Sequence, residues 1–178
     1  MQNNEVQNLS LNDIINETFQ TKNYENDYSK SLITVLKKYN LWPALQVKKF
    51  KGQKNIVLLH NTYFREDIES FKNLYDECRS VILDFERTEK IVVSYANSIP
   101  VRMKINDYNK EINENDVYME AYDGTTITCY YYNDKWNFGT TSCPDVNSSW
   151  FSHPTKTHGN MLDDVLNKLF SKLDNNVV

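Results

Sequence analysis

The residues of this chain whose types and spacing could do chemistry fall in three short segments. One is Val117-Tyr118-Met119-Glu120-Ala121-Tyr122-Asp123-Gly124-Thr125-Thr126-Ile127, which sets two carboxylates and a glycine around an alanine. Upstream of it stands Asp76-Glu77-Cys78-Arg79-Ser80-Val81-Ile82-Leu83-Asp84, whose Arg79 offers several N–H donors in one plane. Between the two, Pro100-Val101-Arg102-Met103-Lys104-Ile105-Asn106-Asp107-Tyr108 supplies the ammonium of Lys104. Taken alone, the first segment is a strand, an Asp-Gly turn and another strand, because Asp-Gly is a frequent turn dipeptide. Gly124 is expected where φ must be positive or a ligand must come close to the backbone. Ala121 carries only a methyl group, which cannot act as a nucleophile. His60, in Leu58-Leu59-His60-Asn61, is a further candidate, with an ordinary strand histidine as its plainer reading.

The elements that must position these residues follow from periodicity. Apolar residues at 11, 14, 15 and 18/19 have helical spacing, and Ser10 is a plausible N-cap for a helix over 8–20. Leu32, Val35 and Leu36 share one face of a second helix over Tyr28–Tyr39, which Trp42-Pro43 is expected to stop. Leu45–Lys51 and Asn55–Asn61 flank a turn at Gly52-Gln53-Lys54 and predict a hairpin. Ser80–Glu86 and Lys90–Asn97 form another pair around Arg87-Thr88-Glu89. Asp116–Ala121, Thr125–Tyr132 and Lys135–Thr140 make a third cluster, the last two joined by Asn133-Asp134. Met161–Leu173 is amphipathic, with apolar residues at 161, 162, 165, 166, 169, 170 and 173, and is expected to pack on the core.

Composition narrows the class without naming a function. The chain has 178 residues, 40% hydrophobic and 25% charged, which suits one folded domain. No apolar run approaches the roughly 18–20 residues needed to span a bilayer, and Met1-Gln2-Asn3-Asn4-Glu5 lacks a signal-peptide layout. The expectation is a soluble intracellular protein, cytoplasmic, or in the host cytoplasm if viral. Cys78, Cys129 and Cys143 are too scattered for a disulfide framework or a zinc site. His153 and His158 lack metal-ligand spacing and read as loop. A net charge of −4 does not advertise nucleic-acid binding, although a local basic cleft is compatible with it. Tyr130-Tyr131-Tyr132, with Trp136 and Phe138 opposite, is either a base-stacking platform or ordinary cross-strand packing, with at least one tyrosine facing inward.

In order, Glu77-Cys78-Arg79, Lys104 and Asp123-Gly124 resemble the covalent nucleotidyltransferases. The likeness is greatest to ATP-dependent RNA ligases of the T-even-phage RNA ligase 1 type. Members carry a Glu-Cys-Arg-Gly strand start, a Lys-Phe-Phe-Asn-like segment, a Lys-x-Asp-Gly motif and a Phe-x-x-x-Gly-Ser-like strand end. The resemblance covers roughly residues 55–170. It implies an α+β fold: the antiparallel β-sheet core of a nucleotidyltransferase (ATP-grasp-like ligase) domain, with flanking helices and incomplete at the C-terminus. Residues 1–45 would be a helical N-terminal segment and 46–178 the N-terminal part of that domain.

The resemblance also implies roles. A motif lysine attacks the α-phosphate of ATP to form lysyl-AMP, with Mg²⁺ and basic side chains stabilising the phosphate charge. AMP then passes to an RNA 5′-phosphate, and a 3′-hydroxyl displaces it. Ala121 stands at the lysine position, between the matching Glu120 and Asp123-Gly124. It is either a replacement made to stop the reaction or a natural loss of the nucleophile. Arg79 and Lys104 match phosphate-contacting residues, and His60 falls where a nucleotide-contacting tyrosine often stands. Ser80 replaces the family glycine after Arg79, and Thr141 a basic residue in Phe138-Gly139-Thr140-Thr141-Ser142.

The later family motifs have no counterpart here, so a C-terminal fragment or domain is an expected partner beside RNA ends. The rival expectations are a non-catalytic nucleotide- or RNA-binding or interaction protein and, within enzymes, a DNA ligase or capping guanylyltransferase.

Overall fold

Leu11, Ile14, Ile15 and Thr18 form the buried stripe of helix α1 (Leu11–Gln20) in the computed structural model, which describes residues 9–21, 27–62, 71–94, 120 and 123–174. The helix starts where the sequence predicts. Ser10 Oγ accepts the Asp13 N–H at 3.2 Å, and the Asp13 carboxylate accepts the Ser10 N–H at 2.9 Å, a reciprocal capping box. Helix α2 (Tyr28–Lys38) buries Leu32, Val35 and Leu36. Its expected stop, Trp42-Pro43, is not what ends it. Asn40 turns left-handed at φ 57°, the Leu41 N–H reaches Leu36 O at 2.8 Å and the Asn40 N–H reaches Lys37 O at 3.0 Å. That is a Schellman closure, in which asparagine tolerates the conformation that most side chains resist.

Four antiparallel strands follow in the order β1 (Leu45–Lys49), β2 (Ile56–Asn61), β3 (Val81–Asp84) and β4 (Ile91–Ser94). Helix α3 (Lys72–Glu77) lies between β2 and β3 in sequence and was not predicted. Six residues with Leu74 and Tyr75 as its buried pair give too short a pattern to read. Alternation along β2 and β3 sorts their side chains onto two faces. Val57, Leu59, Val81 and Leu83 share a core with Leu11, Ile14, Leu32 and Leu36, so α1 and α2 cover that face. Phe85 closes this core, stacked on Tyr28 at 4.8 Å between ring centroids.

The other face holds Ile56, Leu58 and Ile82 against Tyr130 and Tyr132. These tyrosines come from the hairpin of β5 (Ile127–Tyr132) and β6 (Lys135–Thr140). Its turn residues Asn133 and Asp134 both have positive φ, 51° and 58°, the primed-turn geometry that matches strand twist. Two of the three tyrosines face inward, because 130 and 132 share the parity that meets the sheet.

A buried carboxylate ties the hairpin to the sheet. Asp84 Oδ2 accepts the Tyr132 hydroxyl at 2.7 Å, and Oδ1 accepts Asn55 Nδ2 at 2.8 Å and the Glu86 N–H at 2.9 Å. Arg87 Nε stands 3.5 Å from Oδ2, and its guanidinium lies over the Tyr132 ring.

A 3₁₀ turn at Val146–Ser148, strands β7 (Trp150–Ser152) and β8 (Lys156–Thr157), and helix α4 (His158–Asp174) complete the described chain. The fold is thus α+β, with antiparallel sheets and four α-helices among the described residues. None of those helices is long and apolar enough to cross a membrane. The amphipathic pattern of α4 is present, but its expected burial is not. Val165, Leu169 and Phe170 are each more than half exposed, because among the described residues the helix packs mainly on the 3₁₀ turn and β8.

Candidate functional site

His60 and Arg79 lie at the same end of the four-stranded sheet. The pairs Leu58↔Ile82 and Leu59↔Val81 bring the end of β2 beside the start of β3, and the Asn61 N–H donates to Cys78 O at 2.8 Å. His60 has the parity of Ile56 and Leu58, so it belongs to the face that meets the hairpin, not the face under α1 and α2. Gln46 is its direct partner on β1. Ser80 shares the parity of Ile82 and Asp84 and is buried, while Arg79 is half-buried.

Ser80 is not among the residues with positive φ, so its side chain sits there without backbone strain. Glu77 closes α3 instead of opening the strand, which begins at Val81. Cys78 is fully buried, and burial pushes its thiol well above the usual range, with Glu77 adding to the shift.

His60 is the unusual member of this group. It is 6% exposed, and its Nε2 has no hydrogen-bond partner among the described residues. Nδ1 lies 3.1 Å from Asn61 O, a contact that a protonated Nδ1 would satisfy by donating. Burial lowers the imidazole pKa, the Asn61 carbonyl opposes the shift, and Lys48 adds to it. The ring is therefore neutral near pH 7, and the tautomer that satisfies Nδ1 leaves Nε2 as an acceptor. A buried polar atom without a partner costs about 1–3 kcal/mol, so few persist in a fold.

The acidic turn lies on the other strand system, where it leads into β5. Glu120, Asp123 and Gly124 are exposed. Gly124 does not have positive φ, and a Cβ there would meet nothing within 4 Å. A positive φ is therefore not what requires this glycine, and the space beside it is open among the described residues. Ala121 and Lys104 lie outside the described residues, as do the segment 100–108 and all of 116–121 except Glu120.

What the structure brings to this turn is His158, which the sequence reading placed in a loop and which begins α4. Its Nε2 is 3.3 Å from Thr125 Oγ1, and its Nδ1 is 2.9 Å from Ser149 Oγ and 3.2 Å from Ser149 O. No sequence signal joins residues 125, 149 and 158, since only the turns between β6 and α4 bring them together.

Phe138-Gly139-Thr140-Thr141-Ser142 ends β6 and turns back on itself, with the Thr140 N–H donating to Cys143 O at 2.7 Å. Its glycine is required by the chain's own backbone. A Cβ at Gly139 would lie 3.0 Å from Cys143 O and 3.1 Å from Pro144 O. Gly139→Ala is therefore expected to cost about 1–3 kcal/mol in urea unfolding, because neither carbonyl can withdraw without opening the turn. A loss below about 0.5 kcal/mol would show the turn to be pliable.

Comparison with protein-family models, with curated proteins and with solved structures finds no match to this chain.

Proposed function

We propose that this chain carries the nucleotide-holding part of an ATP-dependent RNA ligase nucleotidyltransferase domain without its nucleophile. The observation that carries the reading is the buried Nε2 of His60, unpartnered among the described residues, at the sheet end where the α3–β3 connection carries Arg79. A neutral acceptor nitrogen on a strand end suits an N–H or O–H of a nucleoside. The fork of N–H donors on Arg79 suits phosphate oxygens. Asp123-Gly124 and Lys104 belong to the reading through the sequence resemblance.

Among the described residues no three His, Cys, Asp or Glu side chains gather as a metal site. The Mg²⁺ of this chemistry would arrive on the triphosphate, where it neutralises phosphate charge. The residues of this chain then bind and orient the nucleotide. The group that would attack the α-phosphate is missing, since residue 121 is alanine.

The test is Ala121→Lys incubated with radiolabelled ATP and Mg²⁺. A covalent AMP adduct on the variant, with none on the parent chain, supports the reading. A folded variant that neither forms the adduct nor is rescued by a C-terminal ligase fragment overturns it. GTP in place of ATP separates a capping guanylyltransferase.

The alanine itself favours a second reading, a nucleotide-binding protein that no longer catalyses. In that case ATP is retained by the parent chain in equilibrium dialysis, and Ala121→Lys gains no adduct.

A further inference from the structure

The outward face of the β5–β6 hairpin is aromatic and wet. Tyr131 and Trp136 are direct cross-strand partners, 56% and 64% exposed, with ring centroids 5.4 Å apart at an interplanar angle of 70°. Tyr130 and Tyr132 have the opposite parity and fill the core, so the fold does not need the outer pair for packing. Adjacent exposed rings that the core does not use are free to meet a ligand.

Trp136 also stands on the rim of a groove of about 360 Å³ between the hairpin and the β1–β2 turn. Phe50, Lys51, Lys135, Asn137 and Phe138 line it with Trp136. Neither Lys51 nor Lys135 has a carboxylate partner among the described residues. The one carboxylate of the groove, on Asp145, is engaged by the Asn147 N–H at 2.9 Å and the Ser148 hydroxyl at 3.1 Å.

From this arrangement we infer that the hairpin face and the groove form a binding site for a single-stranded polynucleotide. Bases stack on Trp136 and Tyr131, and Lys51 and Lys135 meet the adjacent phosphates. The lining favours this ligand over a peptide. Its aromatic rings are bordered mainly by ammonium and amide groups, with Pro144 and Val146 as the aliphatic members of the lining, and every base has a π-face for such a ring. In a chain of net charge −4, two unengaged ammonium groups beside an aromatic pair make a local exception that suits a polyanion. The strand's role as an RNA end to be joined rests on the proposed ligase reading; its binding does not.

The experiment is fluorescence anisotropy of a labelled oligoadenylate of about 10 nucleotides, run without ATP. Trp136→Leu and Tyr131→Leu should each weaken binding about tenfold, while Trp136→Phe keeps most of it. Lys51→Ala with Lys135→Ala should reduce the slope of log affinity against log salt by about 1.4. All four positions of change are at the surface or the groove wall, and matching circular dichroism and melting curves confirm the fold.

Unchanged affinity in both leucine variants overturns the site, as does equal affinity for a duplex of the same length. A parent chain that fails to bind the oligonucleotide while capturing a peptide partner overturns it too. The ATP adduct on Ala121→Lys is read separately. Strand binding without the adduct leaves this site standing and removes the ligase reading, and the adduct without strand binding does the reverse.

Discussion

Asp84→Ala is expected to lower the free energy of unfolding by about 3 kcal/mol or more, the largest loss from any single polar group described here. The carboxylate is 3% exposed and serves donors from three places: the Tyr132 hydroxyl on the hairpin, Asn55 before β2, and the Glu86 N–H after β3. Removing it leaves the Tyr132 hydroxyl and the Asn55 amide without their acceptor at the seam between two sheets. The cost of such stranded donors exceeds the net value of the bonds they made.

Tyr132→Phe removes one donor and leaves the carboxylate its other partners, so about 1.5–3 kcal/mol is expected. The two changes should be less than additive in a double-mutant cycle, since they disrupt one network. Burial opposes ionisation of Asp84, but Tyr132, the Glu86 N–H, Asn55 and Arg87 together hold its pKa below the ordinary 3.8. This contribution is fully present above the ordinary value and is lost as pH falls through the depressed one. Urea midpoints between neutral pH and pH 3 measure both effects. An Asp84→Ala loss no larger than that of an exposed charge would mean that apolar packing alone holds the hairpin.

His60→Leu is expected to move stability and nucleotide binding in opposite directions. Leucine is close in shape and removes the unpartnered Nε2, so the fold should gain about 1 kcal/mol. Retention of ATP should fall about tenfold, since a site built to pair a ligand's donor rejects a partner that lacks the acceptor. His60→Gln, which can present an acceptor, should recover part of the binding without the gain in stability.

Acid gives the same contrast. The folded pKa of His60 lies below the ordinary 6.5, so its contribution to stability is present above that value and is lost as pH falls toward the depressed one. In His60→Leu that part of the pH dependence should disappear. A leucine variant that gains stability and binds ATP as before would remove His60 from the nucleotide site.

Much of the architecture was legible because it is written locally. The Ser10 cap, the 11-14-15-18 stripe, the Asn133-Asp134 turn and the alternation of β5 are set by residues within a few positions of one another. Helix α3 and the short β7–β8 ladder were not legible, since each has too few residues to show a period. The end of α2 falls within one residue of its expected place, but its cause differs, because Asn40, a weaker signal than Pro43, accepts the left-handed closure first.

For the candidate site the division is sharper. Sequence alone determined that Arg79, Lys104, Glu120, Asp123 and Gly124 follow one another in that order with alanine at 121, and the proposed nucleotidyltransferase reading rests on that order. Only the tertiary structure decided that His60 is buried with an Nε2 unpartnered among the described residues, that Asp84 locks the hairpin to the sheet, and that His158 lies against Thr125. It also decided that Tyr131 and Trp136 remain in water. The physical reason is that burial and pairing across sheets depend on register and on which face the next layer covers. Those are properties of residues far apart in the chain, and no local pattern carries them.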